Sequence, residues 1–354
     1  MKIAIINDTH FGFKNDHPSF KPYMRKFFDE VFFPYLENHK IQTVFHLGDV
    51  MDRRKYVNID TLRWVREMFV DELRNRDVNV HVILGNHDTY YKNTTATNSL
   101  RELFFDHPHI HVYQSCEDVE IGGMKFAMIP WIAQDGLAAF QDFLKKTTAT
   151  VALGHFELSG FELHRGVYAI EGMDPGILDQ FSEVYSGHYH QRNGHGSIYY
   201  LGTQYDMEYS DAEETKGFHV YDTDTRTIDF IPNPHKLFYK MVYDDSVSKD
   251  MPDFKQIGVT GAFVKLVVKA KKHPKFYDRY LNALYAASPE DVKFIEEYEL
   301  ANESTASTEE VDVTQDTLSM IYSDIDQNEV MDDPTKRSVK KLMNDLYLES
   351  FETE

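Results

Sequence analysis

This chain is poor in cysteine, in long apolar runs and in positive charge. Its single cysteine, Cys116, excludes an intrachain disulfide framework and is expected to be a buried or half-buried packing residue. No apolar run approaches the roughly 20 residues needed to span a bilayer. The start, Lys2-Ile3-Ala4-Ile5-Ile6, has no signal-peptide pattern, so a cytoplasmic protein with an intact start and no membrane partner is expected. Lys and Arg number 37 against 58 Asp and Glu, a net charge of −21, which disfavours strong unaided binding to nucleic-acid phosphates. The deficit is uneven, because residues 299–354 carry 15 acidic and 4 basic side chains. About half of the excess therefore sits in a tail. Tryptophan is scarce, but 14% of residues are aromatic, enough for a substantial core, and 354 residues suit one large domain plus a smaller one.

Strand-like and helix-like segments alternate up to about residue 190. Helical candidates with apolar residues near a 3.6 period lie at 19–38, 60–76, 99–105 and 136–145. This pattern predicts an α/β fold with a two-sheet β-sandwich flanked by helices. From 197 to 231 the texture changes to short β segments with an Asp222-Thr223-Asp224 turn, expected to extend the second sheet. Pro232-Asn233-Pro234 marks a boundary. Beyond it, a strand at 262–269, a helix at 274–287 and a strand at 291–298 predict a small α+β module. The expected domains are 1–234, a cap at 235–298, an acidic flexible linker at 299–317 and a helical tail at 318–354. In the tail Leu318, Ile321, Tyr322 and Ile325 share one face, and Val339, Leu342, Met343, Leu346 and Tyr347 another. Such a stripe either packs back on the body or docks on a partner's helices.

Five strand-like stretches, at 2–7, 43–47, 78–84, 148–153 and 183–186, each run into a cluster of hard ligands. The clusters are Asp8-Thr9-His10, Gly48-Asp49, Gly85-Asn86-His87-Asp88, Gly154-His155 and Gly187-His188-Tyr189-His190. A strand ending this way delivers its polar group to the carboxyl edge of a sheet, where α/β sheets bind ligands. Oxygen and nitrogen donors without thiolate suit Mn²⁺ or Mg²⁺ better than structural Zn²⁺. Asp8 with His10, and His188 with His190, are two apart and point the same way on extended chain, so each pair can grip one ion. Asp49, with two oxygens, can bridge two ions, and Asn86, His155 and His188 fill the second sphere. His87 is left over beside the site, with Asp88 as its expected hydrogen-bond partner, suited to stabilising the pentacoordinate phosphate or protonating a leaving oxygen. These residues describe a metallohydrolase.

Asp8-X-His10, Gly48-Asp49-X-X-Asp52, Gly85-Asn86-His87-Asp88, Gly154-His155 and Gly187-His188-X-His190 resemble the five motifs of the calcineurin-like metallophosphoesterases. Their order and spacing are most similar to the SbcD / meiotic-recombination-eleven nucleases, in particular the phage branch that works with an SbcC/Rad-type ATPase. The resemblance implies one Mn²⁺ on Asp8, His10, Asp49 and His190, a second on Asp49, Asn86, His155 and His188, and His87 as the catalytic residue. Asp52 falls where some relatives carry histidine. It further implies a DNA nuclease subunit, exonuclease on duplex ends and endonuclease on single strands, acting in recombination-dependent repair and replication. Its partners would be DNA ends and the ATPase, bound through the C-terminal helices. Helices near 60–76 and 98–105 match the region through which this family dimerises, within a heterotetramer. A Ser/Thr phosphatase would continue Asp-Arg-Gly and read Gly-Asn-His-Glu, whereas Arg54 and Asp88 stand at those places. A stand-alone nucleotide or cyclic-nucleotide phosphodiesterase is the alternative, but it has no use for the module and tail.

Most other histidines need no functional role. His46 and His81 lie within strand-like runs, and His107, His109 and His111 lie far from the motifs in sequence. His164 and His195 are close to motif segments. Asp16 and His17 are expected at the solvent surface, and Trp131 in the core. Arg53, Arg54 and Lys55 are a solvated charge run or, beside a phosphate site, a grip on the DNA backbone; Asp52 joins Arg53 and Arg54 as a substrate-binding candidate.

Overall fold

The computed structural model describes residues 1–104, 106–164, 166–296, 322, 325 and 331–352. Its centre is two β-sheets packed face to face. In the first, Lys2–Ile6, Thr43–His46, Asn79–Ile83 and Ile110–Tyr113 run parallel. Gly217–Asp222 and Thr227–Pro232 extend it antiparallel beyond Lys2–Ile6. The second sheet is ordered Asn193–His195, Ile198–Tyr200, Glu183–Ser186, Val151–Gly154, Met124–Ile129 and Glu117–Ile121.

Alternation of side chains explains the layering. Ile3 and Ile5 point into the space between the sheets, with Phe45, Phe126, Val151, Leu153 and Tyr185. Ala4 and Ile6 point outward, against helices. Strands buried on both faces read as near-continuous apolar runs, as Lys2–Ile6 does from Ile3 onward and Val151–Gly154 throughout. The outer face of the first sheet is covered by two long helical segments. Phe20–Phe27 continues through a π turn at Phe28–Phe32 into Phe33–His39, and Ile59–Val65 through Arg66–Val70 into Asp71–Asn75. Pro34 lacks an N–H, and the π turn just before it lets the helix continue past the ring. Asn58 caps the second segment, its side-chain oxygen accepting the Asp60 N–H at 2.9 Å. The outer face of the second sheet packs on Phe140, Leu178 and Phe181, with Cys116 half-buried at its margin.

The expectation that 197–231 extends the second sheet holds only for Ile198–Tyr200. Gly217–Asp222 pairs instead with Lys2–Ile6, placing Val220 opposite Ala4. Its residues are apolar on both faces, with Phe218 and Val220 against the helices and Tyr221 between the sheets. Such a strand fits the interior of either sheet, and hydropathy alone does not choose.

Beyond Pro232 lies a parallel three-stranded sheet, Phe238–Asp244, Phe263–Ala270 and Asp291–Glu296. The helix Pro274–Ala286 buries Phe276, Tyr280 and Leu284 against Val264, Leu266 and Val268, a core of its own. Phe238–Asp244 had no counterpart in the sequence reading. The linker 299–317 and the Leu318 and Ile321 positions lie outside the described residues. Asp333–Glu352 is helical; Val339 and Met343 are half-buried, Leu342 is exposed, and Lys341 Nζ lies 2.7 Å from Glu171 Oε1. The side chains of Leu346 and Tyr347 lie outside the described residues. Among the described residues no helix is long and apolar enough to cross a membrane.

Candidate metal centre

Three clusters follow strands of the first sheet and two follow strands of the second, so the site forms where the carboxyl ends of both sheets meet rather than along one sheet edge. The approach is close enough to require glycine. A Cβ on Gly85 would sit 2.1 Å from Asp49 Oδ1, and one on Gly48 2.6 Å from the Gly85 nitrogen. Four ligand candidates themselves adopt left-handed backbone: Asp8 (φ 48°), His10 (41°), Asp49 (54°) and His188 (86°). Each such residue costs on the order of 1–3 kcal/mol and persists only where its surroundings over-determine it. Main-chain bonds do so here, from Asp8 N to Gly48 O at 2.9 Å and from His10 N to Asp49 O at 3.1 Å.

One half of the site gathers Asp8, His10 and His190. His10 Nε2 faces His190 Nε2 at 3.1 Å, with Asp49 Oδ2 at 3.7 Å and Asp8 Oδ1 at 4.0 Å. The other ring nitrogen of His10, Nδ1, is 3.2 Å from Asp52 Oδ1. Asp8 is held by the Asn7 amide at 2.6 Å and by the His188 N–H at 3.0 Å. The other half gathers Asp49, His155 and His188. His155 Nδ1 donates to the Leu47 carbonyl at 2.7 Å, which aims Nε2 at Asp49 Oδ2, 3.4 Å away. Asn86 Oδ1 lies 2.9 Å from His155 Nε2 and 3.0 Å from His188 Nδ1.

These distances test whether a cation fits. Oxygen and ring-nitrogen lone pairs from separate loops converge within hydrogen-bond range, and an acceptor facing two acceptors is stabilised by a cation between them. The Leu47 carbonyl on Nδ1 of His155 fixes which nitrogen faces inward, as around metal-ligating histidine, and the Asp52 carboxylate stands beside Nδ1 of His10. With the Asn86 amide turned over, its NH₂ donates to both rings and its oxygen accepts from Arg54 Nη2 at 3.1 Å. A bound divalent ion takes the oxygen in the first orientation. The residues fit a pair of divalent ions sharing Asp49.

Electrostatics point the same way. Burial pulls His10 down, but Asp52, Asp49 and Asp8 overcome it and raise it to about 9. Burial is likewise overcome at His155, which Asp49 and Asp8 raise to about 9. The carboxylates of Asp8, Asp49 and Asp52 thus favour positive charge at these two rings. Burial, then the neighbouring His155, lowers His188 to about 3. Burial opposes ionisation of Asp49, yet His155, His87 and His10 hold it well below the usual carboxylate range.

His87 lies beside the first half, its ring centroid 4.8 Å from that of His10. The expected Asp88–His87 pair does not form. His87 Nδ1 faces the main-chain oxygen of Asp52, and its N–H donates to Asp49 Oδ1 at 2.7 Å. Asp88 turns back under the loop and accepts from the N–H groups of Gly85 and Asp49 at 2.8 Å, Val50 at 3.0 Å and Met51 at 3.4 Å. It is fully buried, and burial followed by the charge of Asp49 raises it to about 7. Asp88 therefore holds the backbone of its own loop and of the Asp49 loop. Asp52 faces two histidines, His10 through its side chain and His87 through its main-chain oxygen.

Arg54 stacks over Trp131 at 5.7 Å, so Trp131 is half-buried at the site rather than a core residue. Asp16 is also not solvated as expected: Thr61 Oγ1 donates to Asp16 Oδ1, and Arg53 Nη1 lies 3.7 Å from its Oδ2. His46 is buried against Thr9 Oγ1 at 3.0 Å, and His81 Nδ1 meets Tyr113 Oη at 2.6 Å, both structural. His107, His109 and His111 join no metal-competent group among the described residues, and His195 is exposed. The sequence reading missed Asn7, whose amide bridges Asp8 and the Gly202 carbonyl at 2.9 Å. Its only sequence signal is adjacency to Asp8.

Comparison with known proteins agrees with this geometry. Residues 1–192 match the family model described as calcineurin-like phosphoesterase. The chain is 28% identical to Exonuclease subunit 1 of Enterobacteria phage T4 over 291 residues, covering 82% of this chain and 85% of the relative. A solved structure of a novel archaeal phosphodiesterase aligns over 66% of this chain and 100% of that one, at 16% identity and TM-score 0.33, a likeness too slight to carry an argument. With over half its length matched and the fold and pocket in place, the chain belongs to the calcineurin-like phosphoesterase family.

Proposed function

We propose that the chain is a Mn²⁺-dependent DNA nuclease subunit that processes double-strand ends in recombination-dependent repair and replication, with Mg²⁺ as a substitute ion. The observation that carries this reading is the pocket for two ions on a chain similar over most of its length to a phage exonuclease subunit. Asp8, His10, Asp49 and His190 would hold one ion, and Asp49, Asn86, His155 and His188 the other. When bound, paired ions supply Lewis acidity toward a phosphodiester and make water acidic enough to attack phosphorus in line. His87, anchored through Nδ1, keeps Nε2 for the phosphate and the leaving oxygen, where it donates a proton. Arg54, braced on Trp131, and Arg53 beside Asp16 supply positive charge to the backbone of the substrate.

The net charge of −21 supports a division of labour: an SbcC/Rad-type ATPase partner supplies the DNA clamp that this acidic chain lacks. In this reading 1–234 is the nuclease domain, 235–298 a cap on the DNA, and 318–354 the segment that binds the ATPase beyond the linker at 299–317. The exposed Tyr56 and Ile59 at the start of the second helical segment suit the interface of a homodimer within a heterotetramer. The protein would act in the cytoplasm, the host's if phage-encoded, as exonuclease on duplex ends and endonuclease on single strands.

The test is degradation of end-labelled linear duplex and circular single-stranded DNA with Mn²⁺, with and without the ATPase partner. Wild-type cleavage abolished by EDTA and cut at least ~100-fold by His87→Ala supports the reading. Turnover of cyclic nucleotides with DNA left intact in both conditions would instead identify a stand-alone phosphodiesterase.

A further inference from the structure

Lys216 lies outside every motif, immediately before the strand Gly217–Asp222, yet its side chain is only 3% exposed. An ammonium taken out of water is costly unless each of its three protons finds an acceptor. Here all three do. Nζ donates to the His190 carbonyl at 2.9 Å and lies 2.7 Å from Asp211 Oδ1 and 2.8 Å from Glu214 Oε2. The two carboxylates outweigh burial and raise the lysine above its ordinary value, so it stays charged.

The lysine meets the metal centre at the main chain of His190, the residue whose Nε2 stands 3.1 Å from His10 Nε2. The His190 carbonyl also accepts the Thr203 N–H at 3.0 Å, which pins the loop from a second side. The segment that presents Asp211 and Glu214 is itself cross-linked. Asp211 Oδ2 accepts from Met207 N at 2.8 Å and Glu208 N at 3.0 Å. Lys236 Nζ reaches the carbonyls of Asp211 at 3.2 Å, Ala212 at 3.4 Å and Glu214. Asp206, 3.5 Å from Lys236, accepts the Leu237 N–H at 2.9 Å where the chain enters the three-stranded sheet. Buried and half-buried polar contacts thus link the entrance of that sheet to His190.

We propose that Lys216 is a positioning residue for the metal centre, fixing the main chain of His190 and through it the imidazole that holds the first ion. The proposal rests on the reading that His190 is a ligand. Removing the lysine should loosen one ion and spare the ion served by Asn86, His155 and His188, none of which Lys216 touches. Losses of 10- to 100-fold in affinity are typical when an outer support of a metal ligand is removed.

The experiment is Mn²⁺ titration of the full-length protein followed by EPR, with steady-state hydrolysis of bis-p-nitrophenyl phosphate beside it. It compares wild type, His190→Ala, Lys216→Met, Lys216→Arg and the triple variant Lys216→Met/Asp211→Asn/Glu214→Gln. The triple variant removes the buried carboxylates together with the lysine, so it keeps the test open if Lys216→Met alone fails to fold. The expected result is two Mn²⁺ on wild type, one weakened at least ~10-fold in Lys216→Met or the triple variant, and partial recovery in Lys216→Arg. Wild-type affinity for both ions in a folded lysine variant, with His190→Ala weakened, overturns the proposal and leaves the ligand reading intact. Two wild-type ions in His190→Ala overturn both.

Discussion

Asp52 carries His10: its Oδ1 lies 3.2 Å from His10 Nδ1, and the main-chain oxygen of the same residue faces His87 Nδ1. One loop position thus orients a candidate ligand through its side chain and the candidate proton donor through its backbone. Asp52→Ala removes only the first of these. It should weaken Mn²⁺ binding by about 10- to 100-fold and leave kcat at saturating Mn²⁺ unchanged. Mn²⁺ titration by EPR and kcat at saturating metal separate the two effects.

Asp88 takes four main-chain N–H groups in a buried site. In Asp88→Leu those donors lose their acceptor, so the loss should appear in stability, at about 3 kcal/mol or more. Urea denaturation in EDTA measures it. A fully stable Asp88→Leu protein with lost kcat would return Asp88 to chemistry.

Gly85→Ala places a methyl 2.1 Å from Asp49 Oδ1 and 2.3 Å from Asp49 N, where backbone cannot yield. Mn²⁺ affinity should fall more than ~10-fold, because the shared carboxylate is displaced. Gly136→Ala, whose added methyl meets nothing within 4 Å, is the neutral control.

Five ligand candidates were legible because each follows its own strand within one to three residues, so local order alone brings Asp8, Asp49, Asn86, His155 and His188 to strand ends. What the sequence hid was non-local. That two sheets rather than one supply those ends depends on pairing across the chain, and Gly217–Asp222, apolar on both faces, fits either sheet. Asp88 looked like the partner of His87 because the two are adjacent. The turn from Gly85 instead folds the carboxylate back onto its own loop and that of Asp49. Lys216 is one charge in a charged run, Glu213-Glu214-Thr215-Lys216, and nothing in that run marks it as buried. Phe238–Asp244 alternates weakly, since Lys240 and Val242 lie on its more open face, and so gave no strand signal.

Buried His219 and half-buried His81, both away from the metal centre, contribute to the acid response. Burial, then Arg192, lowers His219 to about 3, and burial, then His111, lowers His81 to about 4. Both titrate near 6.5 in the unfolded chain. Between those values the unfolded state binds protons that these two folded-state histidines refuse, so their contribution to stability is full above pH 6.5 and is lost as the pH drops toward 4. His219→Phe, which can pack on Phe230, should make the wild-type loss between pH 7 and 4.5 smaller by about 2 kcal/mol. Urea denaturation of both proteins at the two pH values checks the sign.

The central claim is that one pocket holds two ions sharing Asp49. Anomalous diffraction from crystals grown with Mn²⁺ tests it most directly. The account predicts two peaks about 3.5–4 Å apart, one among Asp8, His10 and His190 and one among Asn86, His155 and His188. A single peak, or peaks away from Asp49, would contradict it.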